Sequence, residues 1–356
     1  SASWRMTLRF VDSYDERSDP VIMDEATLQQ MKSLVALQMT LILRDHMVSV
    51  LEKTFDDSRS GSSNHVVSSI VHQLSSTIQS ESVRCPSLAQ ESAAVMERFA
   101  SAPQVIDQRT WRKEATEIFL YWSDFLRVSP VPQLRCFQKI VALLFSPSRS
   151  EGDGSGWAEF TKYLSKAVAA QTIFTGALEA NIQRAIAVRR LAFILLSGSH
   201  DQYLDQLPWI QEKLVEALKQ REGHADTFAA VFLCLRVMMV KIKSESMRSF
   251  WPAIISEMLT VFGPTSANNP DPELVFAVTK FLDLLLILPT EQFNIHEWMF
   301  ISDPVMAAGL DDTANAPTAF VPYLDKVSNR KASPWQAPSH QQALFSATLL
   351  SSSNRK

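Results

Sequence analysis

His65 and His72 lie seven residues apart, a spacing that places both imidazoles on one face of a helix two turns from each other. A zinc site needs three or four donors converging on one point, and no third ligand stands within sequence reach of this pair. The two histidines are therefore read as part of a polar face. His200 followed by Asp201 has the makings of an imidazole–carboxylate proton relay. Both precede a helical pattern starting near Gln202, so Asp201 is read as an N-cap accepting from free backbone N–H groups. His296 falls in the aromatic segment FNIHEWMF at 293–300, where a partly buried, hydrogen-bonded imidazole is expected. The run GDGSG at 152–156 could cradle a phosphate only if it followed a buried strand and opened a helix; charged neighbours mark it as a loop. No G-x-S-x-G elbow, P-loop, G-x-G-x-x-G or H-E-x-x-H is present. With no nucleophile, base or phosphate cradle at a workable spacing, the chain is expected to be non-enzymatic, with no catalytic residue, cofactor or metal.

Composition narrows the remaining classes. Of 356 residues only 9 are glycine, which argues against a glycine-rich nucleotide-binding fold. The formal net charge of −4 provides no global positive field, so nucleic acid is not an expected partner. Cys85, Cys136 and Cys234 are an odd number and far apart, and all three are read as reduced thiols in a cytoplasmic setting. The most apolar stretch, TFAAVFLCLRVMMV at 227–240, is interrupted by Arg236 and is too short for a bilayer span. The opening SASWRMTLRF lacks the apolar run of a signal peptide, and without an initial Met the chain is read as part of something longer.

One period repeats along most of the chain. Met247, Phe250, Trp251, Ile254, Ile255, Met258, Leu259 and Phe262 follow the i, i+3, i+4, i+7 rule of a helix with one buried stripe, which requires Pro252 near its first turn. Asp271–Pro272 reads as an N-cap with proline at N1, opening a helix that carries Leu274, Val278, Phe281, Leu282 and Leu285 until Pro289 ends it. Further helices are expected over 24–55, 64–79, 87–99, 107–128, 132–145, 155–174, 177–196, 201–220 and 225–243. Breaker-rich separators lie at 58–64, 146–156 and 263–272. About a dozen helices on short loops exceed one bundle core, so stacked antiparallel pairs are favoured: an all-α, HEAT/armadillo-like solenoid over 1–303. From Pro304 the pattern lapses, and 304–356 reads as an irregular or extended tail over the helices.

Three basic clusters could face an anionic surface: Arg184, Arg189 and Arg190 on one helix, Lys241 and Lys243 at the end of another, and Lys326, Arg330 and Lys331 in the tail. Helix-end complementarity accounts for Lys241 and Lys243, and the tail cluster is the candidate for partner or lipid binding. Among the tryptophans Trp251 falls on an apolar stripe. Trp209 and Trp298 are the candidate interface anchors.

The stretch from Arg190 to Phe262, with RLAFILLSGSHDQYLDQLPWIQEKLVEALKQ and TFAAVFLCLRVMMVKIKSESMRSFWPAIISEMLTVF, closely resembles the C-terminal region of the Dopey proteins. So does KFLDLLLILPTEQFNIHEWMFISD at 280–303, with fainter echoes in TWRKEATEIFLYWSDFLRV at 110–128 and FVPYLD at 320–325. The resemblance implies a scaffold of helical repeats, peripheral on the cytosolic face of Golgi and endosome membranes, acting in vesicular traffic. The partners it implies are a large Arf-exchange-factor-like scaffold protein, a phospholipid flippase and a second copy of the chain. Two alternatives stay open: a module binding anionic phosphoinositide lipid, and a generic HEAT-like cargo adaptor.

Overall fold

The computed structural model describes residues 25–47, 49, 61–101, 109–146, 156–169, 176–219, 225–262, 271–288, 290–301 and 322–324. Among them there is no strand, and the α-helices are α1 (Glu25–Ile42), α2 (Gly61–Glu81), α3 (Pro86–Ala100), α4 (Arg109–Thr116), α5 (Phe125–Val128), α6 (Val131–Leu144), α7 (Gly156–Ala169), α8 (Ala177–Ser197), α9 (Leu207–Lys219), α10 (Ala225–Lys241), α11 (Trp251–Phe262), α12 (Pro272–Ile287) and α13 (Glu291–Asn294). The expected proline chemistry recurs at their starts. Asp271 Oδ1 accepts from the Glu273 N–H at 2.9 Å ahead of Pro272, and Pro86, Pro132 and Pro252 each fall in a first turn, where a missing N–H costs nothing.

The helices stack in two layers. In one, α1 packs on α3, α3 on α6, α6 on α8, α8 on α10 and α10 on α12. Alternate helices form the other layer: α2 packs on α3 and α4, α7 on α8 and α9, α9 on α10, and α11 on α12. This is the all-α, solenoid-like arrangement, in which each helix buries its stripe against neighbours only. At the centre, the C-terminal part of α8 is enclosed, with Leu191 to Leu196 all buried, as a helix flanked on both sides must be. An aromatic cluster locks α5 into this core: Phe125 meets Phe137 at 4.8 Å, Phe119 at 5.5 Å and Phe193 at 6.2 Å between ring centroids.

Three expected helices are broken differently, and a fourth, 24–55, passes from α1 into a π turn at Leu43–Met47. The segment 107–128 is not one helix: α4 passes into a π turn, Glu117–Tyr121, and Trp122 is extended before α5. The turn brings three successive residues, Ile118, Phe119 and Leu120, into the core. The expected helix at 201–220 starts only at Leu207, after a 3-10 turn at Leu204–Gln206. An earlier start would put Pro208 in the helix interior, where its ring and missing N–H are costly. Likewise 247–262 is divided into a 3-10 turn, Ser244–Phe250, and α11.

Gly156, read above as the end of a loop, is the first residue of α7, where a Cβ would lie 2.4 Å from the Leu144 carbonyl oxygen. Glycine is required there by close approach. Of the expected tail, only 322–324 are described. Tyr323 and Leu324 pack against the core, and the Leu324 N–H donates to the Phe300 carbonyl at 3.1 Å.

Candidate interaction surfaces

Several of the polar groups singled out by the sequence are engaged in holding helices together. Arg184 and Arg190, expected on a solvated basic face, are each only 1% exposed. Arg184 bonds to Asn181 Oδ1. Arg190 donates to the Tyr163 hydroxyl and, at 2.8 Å, to the Trp122 carbonyl, and its guanidinium lies 5.3 Å from the Tyr163 ring centroid. It thereby pairs the carbonyl at the break after the π turn. Burial lowers the pKa of Arg190, and Tyr163 partly offsets the shift. The third member, Arg189, is half-buried and pairs with Asp226 at 3.3 Å. These three therefore form no anion-binding face; the apolar run Leu191 to Leu196 directly after Arg190 is the signal that a basic side chain there is buried.

Asp201 is not an N-cap. It sits at φ +59°, its N–H donates to the Lys241 carbonyl at 2.9 Å, and its Oδ1 accepts from the Lys243 N–H at 2.9 Å. Oδ2 meets His200 at 2.9 Å and the Lys243 ammonium at 3.3 Å. Lys241 donates to the Gly198 carbonyl at 2.8 Å, so it caps the end of α8 rather than of its own helix. Together these bonds latch the α8–α9 loop to the end of α10. Burial pushes the Asp201 carboxyl up, but the Lys243 N–H, His200 and the Lys243 side chain outweigh it and hold the carboxyl below its usual value. A carboxyl held low in the fold contributes stability that is complete above its unfolded pKa of about 4 and is lost as pH falls through the folded value. Asp201→Asn tolerates the left-handed backbone but carries no charge. Its urea midpoint is expected to lie below that of the unsubstituted chain at pH 6, with the gap closing as pH falls through the folded value; a constant gap across the acid range would mean the charge is irrelevant.

His65 is exposed, and His72 pairs with Glu114 at 3.1 Å. Among the described residues no group of three or more His, Cys, Asp or Glu side chains could hold a metal ion. Cys85, Cys136 and Cys234 are free thiols, and burial followed by a bond to Glu97 pushes the Cys136 thiol up to about 12. No described helix is long and apolar enough to cross a membrane.

What remains are surfaces. Trp209 is half-buried at a 6.0 Å ring contact with Trp157, which places it between α9 and α7. Trp251 is buried. Trp298, in the 3-10 turn Glu297–Met299, is 60% exposed, and Ile287 and Ile295 are exposed near it in sequence. Lys326, Arg330 and Lys331 lie outside the described residues. Sequence reasoning missed a second apolar surface: on α1, Leu28, Met31, Leu34, Val35, Met39 and Ile42 are all exposed. Its signal was available, since Lys32 is the one charged residue between Glu25 and Arg44.

A family model described as DOP1 C-terminal matches residues 10–351. The chain belongs to the DOP1 (Dopey) family. The DOP1 match is to the C-terminal region, in agreement with the resemblance in 190–303 and extending it over the first half. Protein dop1 of Emericella nidulans is 27% identical over 171 residues, covering 46% of this chain and 9% of that protein. The DOP1 homolog of Drosophila melanogaster is 31% identical over 157 residues, 44% of this chain and 6% of that protein. Protein pad-1 of Caenorhabditis elegans is 26% identical over 164 residues, 41% of this chain and 6% of that protein. The matched part thus spans less than a tenth of the length of these DOP1 relatives. No solved structure matches the chain.

Proposed function

We propose that this DOP1 C-terminal region is a non-enzymatic assembly scaffold in vesicular traffic between Golgi and endosomes, peripheral on the cytosolic face of their membranes. The observation that carries this reading is the family match across 10–351 on a stack of helices. Stacks of this kind offer long ridged surfaces suited to protein partners. The buried arginines and the latched Asp201 favour it too, because they turn reactive side chains to structural use. The partners proposed are the large Arf-exchange-factor-like scaffold and the phospholipid flippase. The exposed Trp298 is the candidate anchor, since tryptophan is among the residue types that most often dominate an interface.

The test is capture from Golgi-enriched extract by the purified chain, beside Trp298→Ala and a tail variant carrying Lys326→Glu, Arg330→Glu and Lys331→Glu. Recovery of the exchange-factor-like scaffold or the flippase is expected, with at least about a tenfold loss for Trp298→Ala, as for an interface hot spot of ~2 kcal/mol. Loss only in the tail variant would move the contact to 326–331. Recovery of neither partner, with salt-sensitive flotation on phosphoinositide vesicles, would replace this reading by a lipid-binding one.

A further inference from the structure

Every other long helix of the α1–α3–α6–α8–α10–α12 row buries large apolar side chains, whereas α1 has no buried residue. Its half-buried face, Ser33, Ala36, Leu37 and Thr40, is turned to α3, and Ser33 reaches Glu81 at 3.4 Å. The opposite face carries Leu28, Met31, Val35, Met39 and Ile42 at helical spacing, flanked by Leu34, each 44–55% exposed. The far end of the row is different. There α12 exposes large apolar residues only in its last turn, α11 covers it, and Phe293, Phe300, Tyr323 and Leu324 pack onto the core. A helix stack is finished by a cap with a polar outer face, and α1 does not have one.

We infer that the outer face of α1 is the seat of one more helix of the row, supplied by the part of a longer DOP1-family protein that precedes its C-terminal region. Three observations select this occupant. The matched relatives are more than ten times longer than the matched stretch, and the family model is of the C-terminal region, so the additional chain lies on the α1 side. An 18-residue helix is about 27 Å long and presents roughly 300 Å² in one stripe. That is well short of the ~800 Å² per partner of a stable two-chain interface, whereas a tethered helix avoids the cost of association. With Lys32 as the one charge between Glu25 and Arg44, the face calls for a weakly charged stripe of Leu, Ile, Val or Met rather than an acidic or basic partner.

The experiment uses the full-length product of the gene that encodes this chain, with photo-reactive benzoyl-phenylalanine at position 35 and, as control, at position 83, where Val83 is 72% exposed. Irradiation is expected to link position 35, and not position 83, to a peptide that precedes residue 1 in the same molecule. Val35→Glu in that product is expected to speed amide exchange over α1 by at least tenfold, with exchange in α8 unchanged. A product with nothing before residue 1 overturns the inference. So does a link to residues 1–24 or to the tail, to a second copy (read by mixing isotope-labelled chains) or to lipid, and so does the lack of any link. Failure of the partner capture described above would leave this result untouched, since no other protein takes part in it.

Discussion

Phe125→Ala is expected to destabilise the chain by about 3–5 kcal/mol, read as a lowered denaturation midpoint at unchanged slope. The side chain is fully buried, and it sits where four elements meet: its ring touches Phe119 from the π turn, Trp122 from the break, Phe137 from α6 and Phe193 from α8. Removing it leaves a cavity lined by rigid rings that cannot collapse into the space, the circumstance that puts a large-to-small change at the high end of its range. Phe125→Leu, which keeps most of the volume, is expected to cost ~1.5 kcal/mol or less. If alanine at this position cost no more than leucine, the aromatic cluster would not be the keystone of the α5 region.

Arg190→Ala is the second large effect, at about 3–5 kcal/mol. The guanidinium is buried, with no carboxylate in contact among the described residues; its partners there are the Tyr163 hydroxyl and ring and the Trp122 carbonyl. Alanine would leave a cavity and two unpaired, partly buried polar groups, each worth at most about 1–3 kcal/mol. Arg190→Met would refill the volume and remove the desolvated charge, so its cost is expected to fall to about 1–3 kcal/mol. Tyr163→Phe should be less costly alone and nearly silent in the Arg190→Ala background, because the two side chains act as a pair. Equal costs for Ala and Met, or strict additivity with Tyr163→Phe, would refute the role assigned to this bond set.

The α-helical character and stacking were legible because a 3.6-residue apolar period survives any tertiary detail, as in Leu274–Leu285 of α12. The breaks were not. Glu117–Tyr121 and Leu204–Gln206 have ordinary helical composition, and what decides them is which side chains the neighbours can accept. Arg184 and Arg190 were misplaced for a related reason. A charged residue is assigned to the surface unless the whole helix is known to be enclosed, and enclosure of α8 is a property of α6 and α10. The exposed stripe of α1 was hidden in the opposite sense, since an apolar face in a sequence is always taken to have found its partner.

The π turn at Glu117–Tyr121 has a consequence for comparing DOP1 chains with one another. One such turn is an α-helix with a single extra residue looped into it, and that residue rotates everything after it by about 100° relative to everything before. Trp111, Ala115 and Ile118 share one buried face at helical spacing, and in the turn Phe119 and Leu120 are buried beside it. A homologue that lacks one residue here would carry an ordinary α-helical turn in place of the π turn, with every later position shifted by one against this chain. Alignments of the family across 110–128 should thus open a one-residue gap at the turn. Forcing the segment to align without it would pair core positions of one chain with surface positions of another.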